Sequence, residues 1–287
     1  MSQIVANSNI TSLIAQMMFN RNTTGLETAM NRLSTGLKIN SAKDDPAGLA
    51  ISERLNLQIV GNNKVIDNIQ TGISVINIAE GNLNSILNDL NRIRDLALQG
   101  SNNYYTTDSQ NAILEEMQSR IDNINQIALS TEFNGKKLLD GSVSRLLIQS
   151  GFGSDPTINT VDLASALNNC QSGSSGLNIN LADAGLISGS VTASDFANYI
   201  NNLDNAISKI SSYTSDLGAK YNKLDSLSDT LSVLADNQTE AKSSFMDANI
   251  ATESSNMVKY QILQQCSLSV LTQANSLPAV ALGLLNK

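Results

Sequence analysis

Residues 66–97 read IDNIQTGISVINIAEGNLNSILNDLNRIRDLA, with apolar side chains at Ile66, Ile69, Ile73, Ile76, Ala79, Leu83, Ile86, Leu90, Ile93 and Ala97. The steps between them are threes and fours, the spacing of an amphipathic helix with one narrow seam. Gly100-Ser101-Asn102-Asn103 breaks that pattern. Thr107 or Asp108 then suits the cap of a second helix, whose ladder is Leu114, Met117, Ile121, Ile124 and Ala128. Phe133-Asn134-Gly135 closes it in a turn.

A third ladder runs Ile200, Leu203, Ile207, Ile210, Thr214, Leu217, Tyr221, Leu224, Leu227, Leu231, Leu234. At ~1.5 Å per residue it makes a rod of roughly 50 Å. A helix that long with one narrow stripe must lie against others, because propensity alone holds helices only marginally. The expected fold class is therefore mainly α, an elongated bundle of long coiled-coil-like helices formed by both termini, with a small central region containing a β-hairpin.

That central region differs in texture. RLLIQSGFGSDPTINTVDL (145–163) reads as two short strands around a Gly/Ser/Asp/Pro turn. NNCQSGSSGLNINLADAGLISGSV (168–191) is rich in Gly, Ser and Asn with short apolar alternations, and reads as an exposed excursion.

Both ends are helix-patterned. The N-terminal arm carries Ile10, Leu13, Ile14, Met17, Leu26, Met30, Leu33 and Leu37; the C-terminal arm carries Met257, Tyr260, Leu263, Cys266, Val270, Leu271, Ala274 and Leu277. Asp45 suits an N-cap and Pro46 a first helical position, so the first arm ends near Lys43. Ser276-Leu277-Pro278 reads as the stop or kink of the last helix. The division expected is 1–43 with 250–287 as terminal arms, 44–140 with 200–249 as a helical rod, and 141–199 as a short, variable, surface-exposed region. The arms either pair with each other as a stalk or pack laterally on the arms of other copies. Few charges interrupt 262–287, which favours the second reading, since a solitary exposed helix carries more charge.

Composition narrows the function classes. The 287 residues are 41% hydrophobic but only 4% aromatic, without Trp and with three prolines, a mix suited to long packed helices. No histidine is present, which removes His-based triads, HExxH zinc sites and imidazole acid–base steps. No other constellation of nucleophile, base and oxyanion donors stands out, so no enzyme and no cofactor are expected. A net charge of −8 with scattered Lys and Arg argues against nucleic acid. No apolar run reaches the ~18–20 residues of a membrane span, and MSQIVANSNITSLIAQ lacks the parts of a cleavable signal. Cys170 and Cys266 are too few for a disulfide framework and read as small residues.

LSTGLKINSAKDDPAGLAISE (33–53) resembles the N-terminal signature of bacterial flagellin, and ANIAT (248–252) with LTQANSLP (271–278) resembles its C-terminal signature. LNRIRDLALQ (90–99) and TEFNG (131–135) are similar to the family as well. The resemblance covers roughly 1–140 and 200–287, in order and at matching distances. It implies a structural subunit, exported unfolded by the type III apparatus. Such a subunit polymerises through its terminal helices into the extracellular filament used for swimming. Ile10, Leu13, Met17, Leu33, Leu37, Leu263, Val270, Leu271 and Leu277 are the residues of the polymerising arms on this view. An export chaperone and the cap and junction proteins are the implied partners beside the chain itself.

The same resemblance implies recognition of released monomer by an animal immune receptor through Leu90, Arg92, Leu96 and Gln99, with Glu116 on the next helix. Asp95 stands where the family more often has Glu. The short middle implies a thin, smooth filament, and the lack of histidine excludes the metallopeptidase that some members insert there. A hook–filament junction protein shares the terminal signatures but matches 38–51 less well; a secreted coiled-coil adhesin would be a folded monomer that does not polymerise.

Overall fold

The computed structural model describes residues 9–102, 105–151, 153, 159–186 and 192–285, with the backbone alone at 193 and 277–285. Five helices account for most of them: α1 (Ile10–Thr35), α2 (Pro46–Gly100), α3 (Thr107–Ser130), α4 (Ala193–Met246) and α5 (Ile250–Leu285). Between α3 and α4 lie β1 (Glu132–Phe133), β2 (Lys136–Lys137), β3 (Leu147–Gln149), β4 (Thr160–Asp162) and a 3-10 turn at Ala164–Ala166. The chain divides into two compact units, Met1–Ile59 with Asp236–Lys287, and Val60–Ala235.

Local chemistry sets the helix ends. Asp45 Oδ1 accepts from the amides of Ala47 and Gly48, so α2 begins at Pro46, where the missing N–H costs nothing. Gly36 ends α1 in the left-handed region at φ 72°, its N–H bonded to the carbonyl of Arg32. Thr106, one residue earlier than expected, caps α3 by accepting from the Ser109 amide. Pro278 does not stop the last helix: α5 continues through it to Leu285.

In the unit 60–235 the three ladders meet. Ile69, Ile76, Leu83, Ile86, Leu90, Ile93 and Ala97 of α2 are fully buried, together with Met117, Ile124 and Ala128 of α3. Leu203, Ile210, Leu217 and Leu224 of α4, each seven residues apart, have no exposed surface. Leu234, last in that ladder, is 42% exposed. Ion pairs fasten the outside: Arg94 of α2 to Asp204 of α4 at 2.6 Å, and Arg120 of α3 to Asp89 of α2 at 3.2 Å.

The turn at 134–135 is tighter than a helix stop. Asn134 (φ 49°) and Gly135 (φ 76°) link β1 and β2 as an antiparallel hairpin, Glu132 opposite Lys137. The second hairpin pairs Leu147 with Asp162, Ile148 with Val161 and Gln149 with Thr160. The turn expected between its strands falls partly outside the described residues.

The described residues of 141–199 pack more closely than an exposed excursion would. Val161, Leu163, Leu167, Cys170, Leu177, Ile179 and Leu181 are buried in the same core as the helices. Main-chain bonds run from Cys170 to the Leu139 carbonyl and from Ile179 to the Ser172 carbonyl. Asn125 of α3 both donates to the Ser172 hydroxyl and accepts from its amide. The Tyr199 hydroxyl, buried in α4, donates to the Ile179 carbonyl at 2.6 Å. With neither helix nor strand period to betray them, these apolar residues read as loop although each is turned inward.

Candidate polymerisation surface

In the unit formed by the chain ends, α1 and α5 lie antiparallel. Asn9 Nδ2 donates to the Ala274 carbonyl, Asn22 Nδ2 to the Ser267 hydroxyl, and Gln264 Nε2 to the Thr23 hydroxyl. Near the other end of α1, Arg32 and Glu253 form an ion pair at 3.1 Å whose carboxylate is nearly buried. Beyond it, the connections leading from α1 and into α5 are tied by main chain: Lys38 N–H to Met246 O, and Ala248 N–H to Gly36 O.

Many of the residues that meet along this seam are small or polar, and Phe19, Leu26, Leu33, Met257 and Leu271 are half-buried on the same two helices. On α1 the former include Ala15, Asn22, Gly25, Ala29 and Arg32, and on α5 Glu253, Tyr260, Gln264, Ser267 and Ala274. A Cβ added at Gly25 would come within 2.6 Å of the Tyr260 ring, so glycine is what lets the aromatic lie against the α1 backbone. These positions repeat at three, four and seven, the same period as the apolar ladders. A search by apolar type reaches Tyr260 and Ala274 but not the rest, because much of the period is carried by Ala, Gly, Asn, Gln, Ser and a salt bridge.

Many large apolar residues of the arms face elsewhere. Ile10, Leu13, Ile14, Met17 and Met18 stand at i, i+3, i+4, i+7 and i+8 on one side of α1, and each is exposed, Leu13 at 65%. On α5, Ile262, Leu263, Leu268 and Val270 are exposed, Val270 at 53%. Leu33, Leu37 and Leu271 are half-buried, and Leu277 lies outside the described side chains. Within its own unit, then, the arm pair satisfies its polar groups and leaves much of its hydrophobic surface in water, the inverse of a self-sufficient stalk.

The receptor candidates separate by burial. Leu90 has no exposed surface and Leu96 only 2%, so both serve the core and neither offers a side chain to a partner on the folded surface. Arg92 is exposed and held by Glu116 through two hydrogen bonds, from Nε at 3.0 Å and Nη2 at 2.8 Å. Gln99 is exposed and donates to the Tyr105 hydroxyl at 3.1 Å. The heptad that predicts the helix also predicts this split, since Leu90 and Leu96 lie on the seam side and Arg92 and Gln99 off it.

Both cysteines are free, and they lie in different units. Cys170 is buried, and burial pushes its thiol up to about 12; Cys266 is exposed on α5. Among the described residues no cluster of three or more His, Cys, Asp or Glu side chains could hold a metal ion, and no helix is long and apolar enough to cross a membrane.

A pair of terminal helices that keeps a large apolar face exposed, and a second helical unit with its own core, define a subunit built to join others. Residues 6–144 match the family model for the bacterial flagellin N-terminal helical region, and 200–285 the one for the C-terminal helical region. The flagellin of Bacillus subtilis is 35% identical over 97% of this chain and 99% of its own length. The flagellar filament 30.7 kDa core protein of Treponema maltophilum is 32% identical over 99% of this chain and 100% of its own. A solved structure of a proposed flagellar hook-associated protein from Vibrio parahaemolyticus shares the fold, with a TM-score of 0.60 at 16% identity, covering 71% of this chain and 100% of that one. The chain belongs to the bacterial flagellins. It is a structural subunit of a flagellar filament and not an enzyme.

Proposed function

We propose that copies of this flagellin join through the outward apolar faces of α1 and α5, forming an inner tube of terminal helices in a filament that lies outside the cell and serves swimming. The observation that carries this reading is the exposure of Leu13, Met17, Ile262 and Val270 on an arm pair whose seam is joined largely by small and polar side chains. Burying one such side chain contributes ~1.5–3 kcal/mol, while ordering a residue costs ~1–2 kcal/mol. An arm with one large apolar residue in three or four, and that residue exposed, gains its order from neighbouring copies. The division into arms (1–43 with 250–287), rod (44–140 with 200–249) and a variable region (141–199), whose apolar residues pack into the rod's core, belongs to this proposal. Type III export as an unfolded chain, with an export chaperone and the cap and junction proteins as partners, belongs to it as well.

The test is electron microscopy and sedimentation of the purified chain, with and without filament seeds, beside a version lacking 1–43 and 250–287. Long filaments from the intact chain alone support the arms as the interface. An intact chain that stays monomeric on seeds rejects it. An animal immune receptor remains a proposed partner of released monomer, now through Arg92, Gln99 and Glu116; loss of receptor signalling in Arg92→Ala, with filament growth unchanged, would support it, and undiminished signalling would remove it.

A further inference from the structure

Two methionines stand side by side in the outward face of α1. Met17 is 60% exposed and Met18 49%, one turn beyond the exposed Leu13 and Ile14. Leucine at these places would present comparable apolar bulk; methionine adds a thioether that oxidants reach. By contrast Met117, in the core of the other unit, is fully buried.

We propose that Met17 and Met18 are a modification site, at which peroxide-class oxidants convert the thioethers to sulfoxides and so withdraw the free subunit from assembly; this rests on the polymerisation reading above. In the reaction a lone pair on Sδ attacks one peroxide oxygen, the O–O bond breaks and the S–O bond forms. The sulfur loses two electrons and the peroxide gains them; the second oxygen leaves as hydroxide and takes the proton from the oxygen now on sulfur, giving water. The product is polar and chiral where the face had been apolar and flexible. Burying an S=O group against a neighbour's Leu or Ile without a hydrogen-bond donor is unfavourable, so the oxidised monomer is excluded from the lattice. Once a subunit is in the filament the same two sulfurs are covered by neighbours, and the site is closed to oxidant. The device therefore acts on free monomer and spares the finished filament.

The test treats intact monomer with hydrogen peroxide and then with dithiothreitol, which restores Cys266 but leaves sulfoxides in place. Elongation on untreated seeds is followed by sedimentation, and peptide masses locate the added oxygen. Seeded elongation is expected to fall about tenfold or more, and to return after treatment with methionine sulfoxide reductases A and B together. The Met17→Leu/Met18→Leu variant is expected to elongate equally before and after peroxide. Met17→Gln/Met18→Gln, polar without any oxidant, is expected to elongate as poorly as the oxidised chain. Preformed filaments should gain oxygen at these sulfurs far more slowly than monomer does. Oxidised wild type that elongates at the untreated rate overturns the proposal, as does a leucine variant that loses elongation to the wild-type extent. Untreated intact chain that fails to elongate overturns the polymerisation reading and this proposal with it.

Discussion

Gly25 shows how far one missing methyl reaches. Its absence lets the Tyr260 ring lie against α1, and an added Cβ would sit 2.6 Å from that ring. Gly25→Ala gains helix propensity of up to ~1 kcal/mol but forces the ring outward, at about 1–3 kcal/mol for overpacking. The net expectation is weaker arm pairing, read as a lower melting temperature of assembled filaments; an unchanged or higher value would show that the ring yields freely. Cys170 makes the second argument at this scale. Burial holds its thiol protonated up to about 12, so native protein at pH 8 should expose one thiol, Cys266, to a disulfide reagent and a second only on denaturation. The sign of the pH dependence follows. Above 9.0, the ordinary thiol value, the unfolded chain ionises Cys170 and the folded chain does not, so stability of the 60–235 unit falls as pH rises. Burial of Tyr199 acts in the same direction. Denaturation midpoints between pH 8 and 11 check this, with Cys170→Ala expected to flatten the decline.

Among the elements, the β1–β2 hairpin is held by its turn more than by its length. Gly135 sits at φ 76° with open space around it, so Gly135→Ala should cost about 1–2 kcal/mol through backbone alone, and Gly135→Asn less. Urea denaturation measures both, and equal cost for Ala and Asn would point to crowding instead. The sequence contained this hairpin as Asn134-Gly135, yet two-residue strands leave too little alternation to be read as strands. The long helices were legible for the opposite reason: ten apolar residues at threes and fours over 66–97 admit one period only, and their burial followed. The α1–α5 seam was legible only in part, through Tyr260 and Ala274, because Ala15, Asn22 and Gly25 do not register as a stripe. Leu90 stood both in the apolar ladder and in the stretch implied for receptor contact, and the helix puts it with Leu96 on the buried side while Arg92 and Gln99 stay exposed.

For the molecule as a whole, the two units differ in what holds them. Residues 60–235 enclose a continuous core rich in Leu and Ile, whereas α1 and α5 meet over small side chains, amides, hydroxyls, one ion pair and apolar residues that are only half-buried. Local opening is therefore far easier at the ends. Brief trypsin digestion of monomer is expected to trim both termini while leaving a fragment centred on 60–235, with mass spectrometry giving the limits. Equal resistance of the ends and the centre in free monomer would contradict it. The same digestion of filaments should spare the arms.

The tie between Lys38 and Met246, and between Ala248 and Gly36, uses peptide groups only. A bond of that kind is blind to side-chain identity: nineteen of the twenty residues at 38 or 248 carry the N–H it requires. Lineages can thus rewrite the charge and bulk of this corner freely while the paths of the two connections stay coupled. Proline alone is barred from those two places. Mutational tolerance here says nothing about unimportance, and a substitution scan that omits proline would overlook the corner altogether.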